Sequence, residues 1–257
     1  MKVENKVWFD VEKIDESTFV ISEYHHWEKT HCYLLIGEEK ALLIDSGLGV
    51  GDISAQVKKL TDKPVIVVAT HIHWDHVGGH RQFSEFYVHQ AEVDWISGNF
   101  PLPVQVVRKS ILQADWLPDE FDVNEYEIFY GKPTRLLEEN DIINLGNRLI
   151  QVLHTPGHSP GHLCFFEEKK GYLFTGDLIY KGALIAFYPS TDPVAYFESV
   201  KKIAKLPIKK IYPGHFELYI TTDFIQKVVT AFEEIEKEGL LQQGSGMFNY
   251  DDFQIHI

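Results

Sequence analysis

The chain has 257 residues, 44% of them hydrophobic, and 24 basic against 38 acidic side chains give a net charge of -14. That is enough length and apolar content for one large domain with a substantial core, and the negative charge disfavours nucleic acid as a partner by opposing long-range attraction to a polyanion. No window approaches the roughly 18 apolar residues of a membrane span, and MKVENKVWFDVEKIDES carries charges where a secretion signal needs an apolar stretch, so the expected location is the cytoplasm.

Strand-type runs open the chain: TFVISEY (18–24), HCYLLIG (31–37) and ALLIDSG (41–47). GDISAQVKKL (51–60) reads as a helix with Asp52 as its cap, VIVVAT (65–70) as an apolar strand, and AEVDWISG (91–98) as a short helix. Residues 98–135 are irregular, proline-bearing and rich in aromatics. Two readings of this segment stand side by side: a lid or substrate-binding insertion, or a helical insertion that extends the core. Further on, RLIQVLH (148–154), HLCFFEE (162–168) and YLFTGD (172–177) read as strands. DPVAYFESVKKIAKL (192–206) and TTDFIQKVVTAFEEIEKEG (221–239) are amphipathic helices, and FQIHI (253–257) is a last strand. Cys32 and Cys164 lack a C-x-x-C partner and read as buried thiols. With no linker between the two mixed halves, the expectation is a single α/β sandwich domain over 1–257, its function at one strand-end edge.

THIHWDHVGGH (70–80) follows the strand VIVVAT and gathers four histidines and an aspartate. H-x-H-x-D-H arises by chance about once in five hundred chains of this composition, so it is a signal. His71 and His73 alternate and project from one face of an extended strand end. After the turn Asp75 and His76 face a second point, while Gly78 and Gly79 let the backbone pass closely behind. One loop thus offers two ligands to each of two metals. A catalytic metal normally takes at least three protein ligands, so the rest must come from elsewhere. Three later loops qualify: HTPGHSPGH (154–162), FTGD (174–177) and YPGH (212–215), each with Gly or Pro to fix a tight turn.

Taken together, H-x-H-x-D-H, then H, then D, then H resembles the metallo-β-lactamase superfamily of binuclear metallohydrolases over nearly the whole chain. That resemblance implies an αββα sandwich with a binuclear metal site at one edge. His71, His73 and His158 would hold the first ion, Asp75, His76 and His215 the second, and Asp177 would bridge them. Asp45, at the family's Asp-x-Gly position, would hydrogen-bond a ligand histidine and fix its tautomer. The ligands are imidazoles and carboxylates, which suit zinc, the first choice, and also manganese or iron. Two such ions lower the pKa of a shared water towards neutrality and polarise a carbonyl, so acyl hydrolysis follows.

Within the superfamily, Asp177 and His76 disfavour the β-lactamases. His73 stands where the flavodiiron reductases carry Glu, and the chain after His215 is too short for the glutathione-recognising domain of glyoxalase-type enzymes. GDLIYKGALIAFYPS (176–190) and YPGHFE (212–217) are similar to the acyl-CoA thioesterase branch, and Tyr180 matches the substrate-orienting tyrosine of the N-acyl-homoserine lactonases. The candidate catalytic residues are therefore Asp75, Asp177 and Tyr180, acting on a small-molecule thioester, lactone or related ester. Alternatives are an iron-dependent persulfide-dioxygenase-type oxidoreductase, in which the later Asp and final His do not bind, and a phosphodiesterase. His80, His154 and His162 exceed the ligand positions and read as structural hydrogen-bonding groups. His25, His26 and His31 lie either at a pocket mouth or on an exposed turn. His89 and His256 carry no functional argument.

Overall fold

The computed structural model describes residues 7–257; Met1–Lys6, part of the charged opening segment read above, lie outside the described residues. Seven strands form one sheet in chain order: β1 (Asp10–Asp15), β2 (Thr18–Ser22), β3 (His31–Ile36), β4 (Ala41–Ile44), β5 (Val65–Val68), β6 (Phe86–His89) and β7 (Arg135–Leu137). The later strands are β8 (Ile142–Asn144), β9 (Leu149–His154), β10 (Leu163–Glu167), β11 (Tyr172–Gly176), β12 (Ala183–Ile185), β13 (Lys210–Pro213), β14 (Met247–Asn249) and β15 (Gln254–His256). They make a second sheet, ordered β13-β11-β10-β9-β8, and a small third one, β12-β15-β14.

Side-chain alternation builds the layers. Tyr33, Leu35, Leu42, Ile44, Ile66 and Val68 of the first sheet share one buried cluster with Val152, Phe165 and Phe174 of the second. Their neighbours Leu34, Leu43 and Val67 point the other way and bury Ile53 and Val57 of helix α1 (Ile53–Lys58). Across the second sheet, Cys164, Phe166 and Leu173 meet α4 (Pro193–Ile203) and α5 (Asp223–Lys237). Period-two strands between amphipathic helices thus give helix, sheet, sheet and helix layers, the metallo-β-lactamase fold. Asp52 caps α1 by accepting from the Ala55 amide at 2.8 Å, and Asp192 caps α4.

Parallel pairing of β4 with β5 and of β11 with β13, and the antiparallel path β9–β10–β11, set the C-terminal ends of β4, β5, β9, β11 and β13 along one edge. Every loop singled out in the sequence leaves from there. Residues 98–135 contain the helix α3 (Val104–Ile111), whose Val107 and Ile111 pack with Trp8, Leu48 and Trp74. Tyr126 and Phe129 of this segment are buried in the core, whereas Tyr130 is exposed.

One buried ion pair closes the sandwich away from that edge. Arg148 forks onto both carboxylate oxygens of Glu167, at 3.0 and 2.6 Å, and also donates to the Ser17 carbonyl and the Thr18 hydroxyl. Glu167→Ala leaves this guanidinium buried without its counter-charge and is expected to cost about 3–5 kcal/mol, measured by denaturant unfolding.

Candidate binuclear metal centre

The apolar strand β5 ends at Val68, and three residues later the chain delivers His71 and then His73 before turning into the short helix α2 (Trp74–Val77), which carries Asp75 and His76. The turn needs close backbone approach: a Cβ on Gly78 would lie 2.3 Å from the Leu48 carbonyl carbon. The β9–β10 loop brings His158, the end of β11 brings Asp177, and the end of β13 brings His215. These seven residues fall into two groups, His71, His73, His158 and Asp177 in one and Asp75, His76 and His215 in the other; within each, ligand atoms lie within 4.8 Å of one another.

Asp177 faces both groups. Its Oδ2 lies 3.4 Å from His158 Nε2 and 3.9 Å from His71 Nε2, while its Oδ1 lies 3.1 Å from both His76 Nε2 and His215 Nε2. Gly176, at φ 47°, makes the turn before it, where a Cβ would meet Thr70 at 2.7 Å. Tyr196 donates to the carbonyls of Asp177 and Leu178, each at 2.8 Å, and His162 Nε2 accepts from the Asp177 amide at 3.1 Å.

Outward hydrogen bonds fix the rings. Asp45 accepts from His76 Nδ1 at 2.9 Å and from the Thr70 amide and hydroxyl at 2.7 and 2.8 Å. Because the Thr70 hydroxyl donates to Asp45, it accepts from His71 Nδ1 at 3.0 Å. His158 Nδ1 donates to the Ile185 carbonyl at 3.1 Å, and His215 Nδ1 to the Glu28 carbonyl at 2.8 Å. Asp45 performs this from a left-handed backbone, φ 61°, which Asp tolerates better than most residues and which sets its carboxylate between two loops.

Four rings with their outer nitrogens committed as donors turn their inner nitrogens to the centre. There His71 Nε2 and His73 Nδ1 are 2.9 Å apart, His158 Nε2 and His73 Nδ1 3.0 Å, and His76 Nε2 and His215 Nε2 3.1 Å. Asp177 Oδ1 is buried there without a hydrogen-bond donor. Lone pairs and carboxylates crowded this way could hold cations between them, and the donor set, imidazole and carboxylate, fits borderline divalent ions. Protons are the competitors. His215 is raised to about 9: burial opposes its charge, but Asp177 overcomes that penalty. His76 is likewise raised against burial by Asp177, Asp75 and Asp45. Metal uptake near pH 7 must therefore displace protons, and affinity is expected to rise with pH up to about 9, with proton release visible as buffer-dependent binding heats.

The surplus histidines are hydrogen-bonded elsewhere. His80 Nδ1 meets the Ser46 hydroxyl at 2.6 Å, His154 Nε2 the Pro160 carbonyl at 3.0 Å, and His162 Nδ1 the Thr155 hydroxyl at 2.9 Å. His26 and His31 are buried rather than on an exposed turn. Tyr180 packs its ring 5.6 Å from that of His215, with its hydroxyl donated to the Ala183 carbonyl. Sequence reading did not single out Thr70, Tyr196 or the Glu28 and Ile185 carbonyls, because backbone acceptors and tertiary partners leave no residue-type signature.

The metallo-beta-lactamase superfamily model matches residues 27–215, an interval holding every residue of both groups. The chain belongs to the metallo-β-lactamase superfamily. Acyl-coenzyme A thioesterase MBLAC2 of Gallus gallus is 30% identical over 239 residues, covering 82% of each chain. Hydroxyacylglutathione hydrolase GloC of Haemophilus influenzae is 29% identical over 162 residues, covering 60% of this chain and 68% of its own. Among solved structures, a metallo-beta-lactamase from Pontibacter korlensis superposes with a TM-score of 0.66 at 17% identity, covering 88% of this chain and 99% of its own, a likeness of fold. The metal-dependent hydrolase is the enzyme class of this superfamily member. Among the described residues, no helix is long and apolar enough to cross a membrane.

Proposed function

We propose that this hydrolase cleaves acyl thioesters, with lactones and related esters as secondary substrates, at a site holding two divalent ions, zinc first. The observation that carries the two-ion reading is Asp177, whose two oxygens each face a different ligand group. The likeness to acyl-coenzyme A thioesterase MBLAC2 across 82% of the chain supports the bond type. Two buried free cysteines fit a reducing compartment, and we place the enzyme in the cytoplasm.

When bound, the ions supply a nucleophile by acidifying coordinated water, and Lewis acidity towards the acyl carbonyl. The chain does the rest. Asp45, Thr70, Glu28 and Ile185 hold the ligand rings by their outer nitrogens, so orientation is set before substrate arrives. Tyr180 is the candidate donor to the substrate carbonyl: rotation of its hydroxyl moves the proton from Ala183 towards developing negative charge. Beside His73, Trp95 lies nearly parallel at 5.9 Å and Phe100 at 5.8 Å, an apolar wall suited to an acyl chain. The segment 98–135, which supplies Phe100, is the proposed cover.

Two results test this reading. Tyr180→Phe is expected to lower kcat about 10- to 100-fold with KM and metal content little changed; unchanged kcat with chemistry limiting would assign the phenol to holding Ala183 alone. Across a series of acyl-coenzyme A substrates, kcat/KM should climb by up to about fourfold per buried methylene before levelling off. Equal rates for short and long chains would remove the acyl wall.

A further inference from the structure

A buried glutamate outside both ligand groups bonds to the backbone between His71 and His73 and to two residues of the loop that follows His158. Glu92 ends a short turn after β6 and is 1% exposed. Its Oε1 accepts from the Ser159 hydroxyl at 2.6 Å and the Gly161 amide at 2.7 Å, and its Oε2 from the Ile72 amide at 3.2 Å. Ser159 directly follows His158, and Ile72 stands between His71 and His73. Space is closed around it: a Cβ on Gly161 would lie 2.5 Å from Glu92 Cγ.

We propose that Glu92 is a positioning residue for the first metal group, a carboxylate strut that fixes the His158 loop against the His71–His73 loop and so sets the separation of three imidazoles contributed by different parts of the chain. The second group is held otherwise. His76 is braced by Asp45 and His215 by the Glu28 carbonyl. The two loops share one further backbone bond, Leu163 to the Thr70 carbonyl at 2.7 Å, but that bond lies beyond His158 and leaves the loop tip to Glu92. All three bonds need an acceptor. A carboxylate supplies one at each oxygen, whereas an amide of the same shape presents hydrogens on one side and opposes at least one of the three donors.

The assignment rests on the two-metal reading, and the test separates the two. Metal-free wild type, Glu92→Gln and, as a control, Glu167→Gln are titrated with zinc and with cobalt, whose absorption reports ligand geometry, and their melting temperatures are measured. Wild type should take up two ions. Glu92→Gln should bind one as wild type does and the other about 10- to 100-fold more weakly, with an altered cobalt spectrum. Glu167→Gln, a buried carboxylate remote from the centre, should melt earlier yet bind both ions normally. Ser159→Ala, which removes one donor and spares the carboxylate, should weaken the same ion by a smaller factor. Unchanged affinities in Glu92→Gln, or metal loss that follows melting temperature equally in both Gln variants, would overturn the proposal. A wild-type capacity of one ion would overturn the two-metal reading instead; Glu92 then stands if Glu92→Gln weakens that ion and falls if it does not.

Discussion

Asp177→Ala is expected to lower kcat/KM by about 10³-fold or more, the largest loss among single substitutions at the centre. The reason is geometric. Its two oxygens face His71 and His158 on one side and His76 and His215 on the other, so one substitution removes the carboxylate common to both groups. In the metal-free protein the same four imidazoles hold this carboxyl well below its usual range against the opposing push of burial. His162→Ala should do less, about 10- to 100-fold, because His162 acts through the Asp177 amide rather than on an ion. Equal losses in the two variants, at equal metal content, would remove Asp177 from its bridging role.

Chelation should destabilise the fold as well as silence it. Ligands from four loops meet with their inner nitrogens about 3 Å apart, and cations that bind only the folded state stabilise it by mass action. With free metal at about 1,000 times its dissociation constant, each ion adds about 4 kcal/mol. For a domain of this size that corresponds to a melting temperature about 8–16 °C higher per ion. The check is a thermal melt with and without a strong chelator, reversed by adding metal back. A melting temperature indifferent to chelation would mean that the ligand loops are held wholly by their own hydrogen bonds.

Much of the centre was readable because its chemistry is local. His71, His73, Asp75 and His76 lie within six residues on a strand end and the helix that follows it, and spacing alone divides them between two points. That His158, Asp177 and His215 complete those groups came from family resemblance: nothing in a linear pattern shows that β5 and β11, which lie in different sheets, end at one edge. The long strands and α4 and α5 announced themselves by periodicity. By contrast β7, β8, β12 and β14 are three residues each, too short to display a period, and their pairing is a tertiary matter. A helical insertion was one of the two readings of 98–135, but the place of α3 within it was hidden by its valines: VQVVRKSI is poor helix sequence, yet Val107 and Ile111, one turn apart, bury against Trp8 and Trp74 and override propensity. Glu92 was invisible for a related reason, since a glutamate in AEVDWISG reads as a solvent-facing residue until its burial is seen.

A two-ion hydrolase of acyl thioesters is tested by the anaerobic turnover of a long-chain acyl-coenzyme A by protein whose metal content has been counted. Free coenzyme A and fatty acid are expected at an undiminished rate without oxygen, with two ions per chain. Activity that required both iron and oxygen, or full activity with a single ion bound, would contradict it.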